Sequence, residues 1–76
     1  MPEQTDSRVV FIRGAHIELA QLLKFAGLAD TGGEAKQVIA AGQVLVNDST
    51  ETQRGKKIVS GDRVSYNGHT LIVRGS

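Results

Sequence analysis

From Ile17 onward the hydrophobic period of this chain changes once, at Gly42. Between Ile17 and Gly42 apolar residues recur at helical spacing, and beyond Gly42 they alternate. A chain that runs strand, helix, helix and then strand after strand selects an α+β architecture, not an alternating α/β one. Leu19, Leu22, Leu23 and Ala26 predict a helix over 17–26, with Gly27 where a C-terminal cap belongs. Thr31-Gly32-Gly33-Glu34 has the form of a capping box. The Thr31 hydroxyl would accept from the Glu34 N–H, and the Glu34 carboxylate would reach back to the N–H of Thr31. This predicts a second helix running to about Ala41, with Ala35, Val38 and Ile39 inward and Gly42 as its stop. The intervening loop, 28–30, is short, so the two helices are expected to be spatial neighbours.

The strand signals flank this pair. Arg8 to Arg13 is β-branched and aromatic and is closed by Gly14. Val44 to Val46 ends at the turn signal Asn47-Asp48. Ile58-Val59 reads as a short strand, and Ser60-Gly61-Asp62 turns the chain, with Asp62 as a turn former. Val64–Tyr66 and His69–Val73 are joined by Asn67-Gly68, the strongest short hairpin signal. The expected fold is α+β, with two adjacent helices on one face of a small, mostly antiparallel sheet. Its expected core is Leu19, Leu22, Leu23, Ala35, Val38, Ile39, Val44, Val46, Ile58, Val64, Leu71 and Val73.

Composition narrows the function classes. Seventy-six residues make one small domain, expected over 8–76, behind a polar tail at 1–7 that is expected to be disordered. There is no cysteine, which excludes a disulfide framework and any thiolate metal site. The longest purely apolar run is four residues, too short to span a bilayer, and no signal segment opens the chain. A cytoplasmic protein is expected. A chain this short disfavours a self-contained enzyme, and neither a cofactor nor a small-molecule substrate is expected. The formal net charge is +1, but without the acidic tail nine bases face six acids, leaving the body at +3. That is mildly basic and compatible with nucleic acid.

Candidate binding residues follow from residue type and placement. The outward face of the second helix carries Gly33, Lys36, Gln37 and Ala40. A face of small residues with one cation and one amide can approach a phosphate backbone closely, or is simply a neutral surface. The helix N-terminus adds free N–H groups near Gly32-Gly33. Arg54-Gly55-Lys56-Lys57 sets three cations in four residues on a polar loop without an apolar anchor, read either as a phosphate clamp or as a solubilising charge run. His16, ahead of the first helix, is placed to cap it or to touch a ligand, and His69 reads as a plain strand residue. With two histidines and no cysteine, no metal site is expected. Tyr66 and Phe25 are expected to pack at the core or its edge, which disfavours binding by stacking.

Leu19, Leu22-Leu23, Gly27, Thr31, Ala35, Val38-Ile39, Gly42, Val44, Val46-Asn47, Gly61-Asp62 and Val64 occur in an order that resembles the αL RNA-binding motif of the small-subunit ribosomal protein S-four family. Gly32-Gly33, Ala35-Lys36, Glu51-Thr52 and Arg54-Gly55-Lys56-Lys57 are similar to its small stand-alone bacterial branch, the YbcJ-like proteins. The resemblance implies binding of structured RNA, with ribosomal RNA foremost, through the second helix and the loop after the first strand of the motif. It implies no catalysis. Mapped onto this chain, the RNA-binding residues are His16, Thr31, Gly32, Gly33, Lys36, Gln37, Asn47, Arg54, Lys56 and Lys57. His16 and Gly32 stand where many members carry arginine, so more of the binding falls to Lys36 and the loop. A monomer without membrane contact is expected. A protein–protein adaptor that has kept the fold and lost its RNA is the alternative. A β-grasp carrier is disfavoured, because its Gly-Gly terminus is replaced by Arg74-Gly75-Ser76.

Overall fold

In the computed structural model, which describes residues 6–75, the β-branched and aromatic run Val9-Val10-Phe11-Ile12 lies in an edge strand, β1 (Asp6–Ile12). Val10 and Ile12 point into the core while Val9 and Phe11 stay exposed. Strand β1 takes in Asp6 and Ser7, which the sequence had assigned to the tail; residues 1–5 of that expected tail lie outside the described residues. Next come β2 (Ile17–Glu18), α1 (Leu19–Phe25) and α2 (Gly32–Ala40). The remaining elements are β3 (Val44–Val46), β4 (Ser49–Thr50), β5 (Lys57–Ile58), β6 (Arg63–Tyr66) and β7 (His69–Gly75).

Five strands form one sheet in the order β1-β7-β6-β3-β4. Every pairing is antiparallel except β1 with β7, which run parallel over seven residue pairs from Asp6↔His69 to Ile12↔Gly75. The tight β6–β7 hairpin arises because Asn67 and Gly68 both adopt positive φ, 52° and 82°, as a two-residue turn of matching twist requires. Asn47 and Asp48 do the same at the β3–β4 turn without a glycine, with φ of 52° and 70°. Asn and Asp are the side-chain-bearing residues that tolerate this region best.

The core is one layer between the helices and the inner face of the sheet. Leu19, Leu22, Leu23, Ala35 and Ile39 from the helices meet Val44, Val46, Ile58, Val64, Leu71 and Val73. Val10, Ile12 and Ala29 join them, beyond the twelve expected residues, and Val38 is partly buried at the margin. An exposed Arg8 ties the edge strand to the helices by donating to the Ala26 carbonyl at 2.7 Å.

Helix α1 begins two residues later than its apolar spacing predicts. Ile17 and Glu18 form a ladder with Ile58 and Lys57, so a second, two-stranded sheet starts where the helix was expected. Ile58 is completely buried in that ladder, which outweighs the helical preference of two residues. The N-cap of α1 is Glu18, with no side-chain cap bond, so His16 does not cap this helix.

Candidate nucleic-acid interface

Thr31 is the N-cap of α2, and its Oγ1 accepts from the Glu34 N–H at 3.1 Å. The Glu34 carboxylate reaches one residue further back than a standard capping box, accepting from the Asp30 N–H at 2.9 Å. These two bonds satisfy one N–H of the first turn and clamp the loop that enters it. The N–H groups of Gly32 and Gly33 lie in that same first turn, outside the helical ladder, where the helix dipole is positive.

The loop from Glu51 to Lys56 is built into the fold. Glu51 N–H donates to the Val44 carbonyl, and Gln53 N–H donates to the Glu51 carboxylate. On the other side, Leu19 N–H donates to the Lys56 carbonyl at 2.9 Å and Ala20 N–H to the Arg54 carbonyl at 3.1 Å. The loop thus satisfies orphan donors at the start of α1, an anchorage made by main-chain carbonyls, and the expected core residue Ile58 follows it fully buried. It is anchored to the start of α1 and faces α2 across a groove.

A groove of about 710 Å³ opens between these parts. One wall is Gly32, Gly33 and Lys36 from α2, the other is Arg54 and Gly55 from the loop, and α1 supplies Ala20, Gln21 and Lys24 with Glu18 beside them. Three cations and one carboxylate therefore surround a depression bordered by three glycines. None of these glycines has a positive φ. A Cβ at Gly32 or Gly55 would meet nothing within 4 Å, and one at Gly33 would meet only Thr31 Oγ1 at 3.8 Å. The fold does not demand glycine at these positions. What they provide is bare backbone along a cationic groove.

Of the residues singled out in the sequence, Gly32, Gly33, Lys36 and Arg54 come together here, next to Thr31. Gln37 is exposed on α2 but does not line the groove, and Lys56 and Lys57 are exposed at its margin. Lys57 stands opposite Glu18 in the β2–β5 ladder. Asn47 is a turn residue: its Nδ2 donates to Asp62 Oδ1 at 3.1 Å, and its Oδ1 accepts from the Arg63 N–H at 2.9 Å. Asp62 completes this turn by accepting from the Val59 N–H, the structural role expected of it. Asp48 pairs with Arg63 at 3.0 Å in an exposed contact worth at most about 1 kcal/mol. His16 lies in a different, neighbouring groove, together with Arg13.

Sequence reasoning missed Lys24 and Gln21. Their exposed i, i+3 spacing on α1 was visible, but only the fold brings α1 across from Gly32 and Arg54. Phe25 is 65% exposed and does not pack as expected, whereas Tyr66 does pack against the core. Among the described residues, no group of three or more His, Cys, Asp or Glu side chains could hold a metal ion. No helix among them is long and apolar enough to cross a membrane.

Two helices on a mixed sheet, with a cationic groove at the N-terminus of the second, define a small α+β module. The chain belongs to the S4 domain family, whose model matches residues 10–74. It is 47% identical over 58 residues to the Escherichia coli protein named "Putative RNA-binding protein YbcJ", spanning 76% of this chain and 83% of that protein. It is 42% identical over 52 residues to the Bacillus subtilis protein named "Probable ribosome maturation protein RlbA", spanning 68% and 73%. The fold is similar to the solution structure of E. coli YbcJ, described as revealing an αL motif involved in RNA binding. The TM-score is 0.65 at 38% identity, covering 95% of this chain and 90% of that one.

Proposed function

We propose that this protein is an RNA-binding module that grips the phosphate backbone of structured RNA, with ribosomal RNA as its target class. The observation that carries the reading is the groove in which Lys24, Lys36 and Arg54 surround the backbone of Gly32, Gly33 and Gly55. Cations attract phosphates, and glycines let a phosphate oxygen come within hydrogen-bond distance of main-chain N–H groups. The relatives named for RNA binding and for ribosome maturation support the ligand class. Lys56 and Lys57 extend the field along the loop. In this reading the module works as a cytoplasmic monomer and binds without catalysing a reaction.

The test is a salt titration of binding to ribosomal RNA fragments. Neutralising three phosphates gives a slope of log affinity against log salt of roughly −2 to −3. Lys36→Glu should weaken binding to all fragments alike and flatten the slope, because phosphate contacts carry no sequence information. Arg74→Glu, outside the groove, should do much less. Equal losses from the two variants would mean diffuse attraction and no site.

A further inference from the structure

Helix α1 has a groove on each side. The second, of about 570 Å³, is lined by Phe11 from the edge strand, Phe25 from the end of α1, and Arg13, His16 and Gln21. Its apolar floor comes from Ile12 and Ile17. These are the only two phenylalanines in the chain, and neither is in the core: Phe11 is 69% and Phe25 65% exposed. Single exposed apolar residues are ordinary, but two aromatic rings sharing one groove with an arginine and a histidine are not scattered surface. Arg8 bonds the strand carrying Phe11 to the Ala26 carbonyl, immediately after Phe25. Gln21 lines both grooves, so the aromatic groove and the phosphate groove share a wall.

We propose that the groove between Phe11 and Phe25 receives an unpaired nucleobase of the RNA whose backbone lies in the phosphate groove across α1. The inference rests on the RNA-binding reading above and adds a ligand class to it. A base offers a flat π-face that a phenylalanine ring can stack on, and this interaction tolerates any base. Gln21 carries both a donor and an acceptor for a base edge. Arg13 is charge-complementary to the phosphate that travels with the base, and His16 has a ring N–H that can donate to it. A base inside a duplex has both faces covered by its neighbours, so the groove selects a bulge, a loop or a strand end. The protein would then read RNA in two ways: backbone charge on one side of α1, and an extruded base on the other.

The experiment compares two synthetic RNA hairpins, one with a single bulged nucleotide and one fully paired, titrated against the intact chain and its variants. The parent should prefer the bulged hairpin by about tenfold or more, the magnitude of one base–aromatic stack. Phe25→Ala and Phe11→Ala should each lose that preference while keeping the paired-hairpin affinity and the salt slope. Phe25→Leu, which keeps apolar bulk without the ring, should lose it too. Melting curves matching the parent confirm that these exposed sites leave the fold intact. Equal affinity of the parent for both hairpins overturns the base site while RNA binding stands. Binding of neither hairpin overturns both readings. If Phe25→Ala instead abolishes a concentration-dependent self-association and leaves discrimination unchanged, the groove is an interface between copies, and the proposal fails.

Discussion

Replacing Gly33 with alanine should move stability and binding in opposite directions. Gly33 is the second residue of α2, its φ is not positive, and the added Cβ would meet only Thr31 Oγ1 at an ordinary 3.8 Å. Nothing in the folded state opposes the methyl group. The unfolded chain loses conformational freedom, so Gly33→Ala should stabilise by about 0.4–1 kcal/mol. For a domain of this size that is a rise in Tm of roughly 2–8 °C. The same methyl group stands on the wall of the cationic groove, where a phosphate oxygen would approach the main chain to about 2.9 Å. Losing one charge-assisted hydrogen bond of about 1.5–3 kcal/mol should weaken RNA binding by roughly tenfold or more. The assay is a thermal melt by circular dichroism alongside an RNA titration at one salt concentration. A raised Tm with unchanged affinity would refute the close-approach role of the glycine. A lowered Tm would refute the claim that the backbone tolerates a side chain there.

Two further outcomes test the frame around the groove. Thr31→Ala removes the only side-chain acceptor for the Glu34 N–H and should destabilise by about 1 kcal/mol, read as a drop in Tm of roughly 4–8 °C. Leu22→Ala or Ile39→Ala, each at a fully buried position, should cost about 2–5 kcal/mol in denaturant unfolding. A midpoint like the parent's would mean that the buried helix faces are wrongly assigned.

What could be read from the sequence was local. The Thr31 cap, the Asn67-Gly68 hairpin and the inward stripes of both helices each depend on residues within four positions of one another, and each is present. What could not be read was the pairing of distant segments. Val9 to Ile12 reads as a strand, but nothing local says that it lies parallel to the C-terminal strand, a pair that sets the first and last strands side by side. Ile17 and Glu18 fit a helix by spacing, and only Ile58, forty-one residues beyond Ile17, decides for a strand. The cationic loop gave no side-chain signal for its anchorage, because main-chain carbonyls of Arg54 and Lys56 hold it to α1. Any residue could contribute those carbonyls, so no side-chain pattern records them.

That anchorage explains why the candidate site differs from the one drawn from sequence. A run of four residues with three cations suggests that charge density alone does the binding. In the structure the run divides: Arg54 and Gly55 line the groove, while Lys57 enters a strand opposite Glu18. The cations that meet across the groove come from three segments, Lys24 on α1, Lys36 on α2 and Arg54 on the loop. The first two helices are held by packing, and the loop is held by two bonds to the first turn of α1. Their spacing is thus set by the core rather than by the flexibility of the loop. Pre-set spacing lowers the ordering entropy that binding must overcome, and under the proposed function it would favour phosphates at matching intervals. A flexible basic loop of the same charge would bind any polyanion. Under the proposed reading, this one should prefer a backbone whose shape presents several phosphates to α1, α2 and the loop at once.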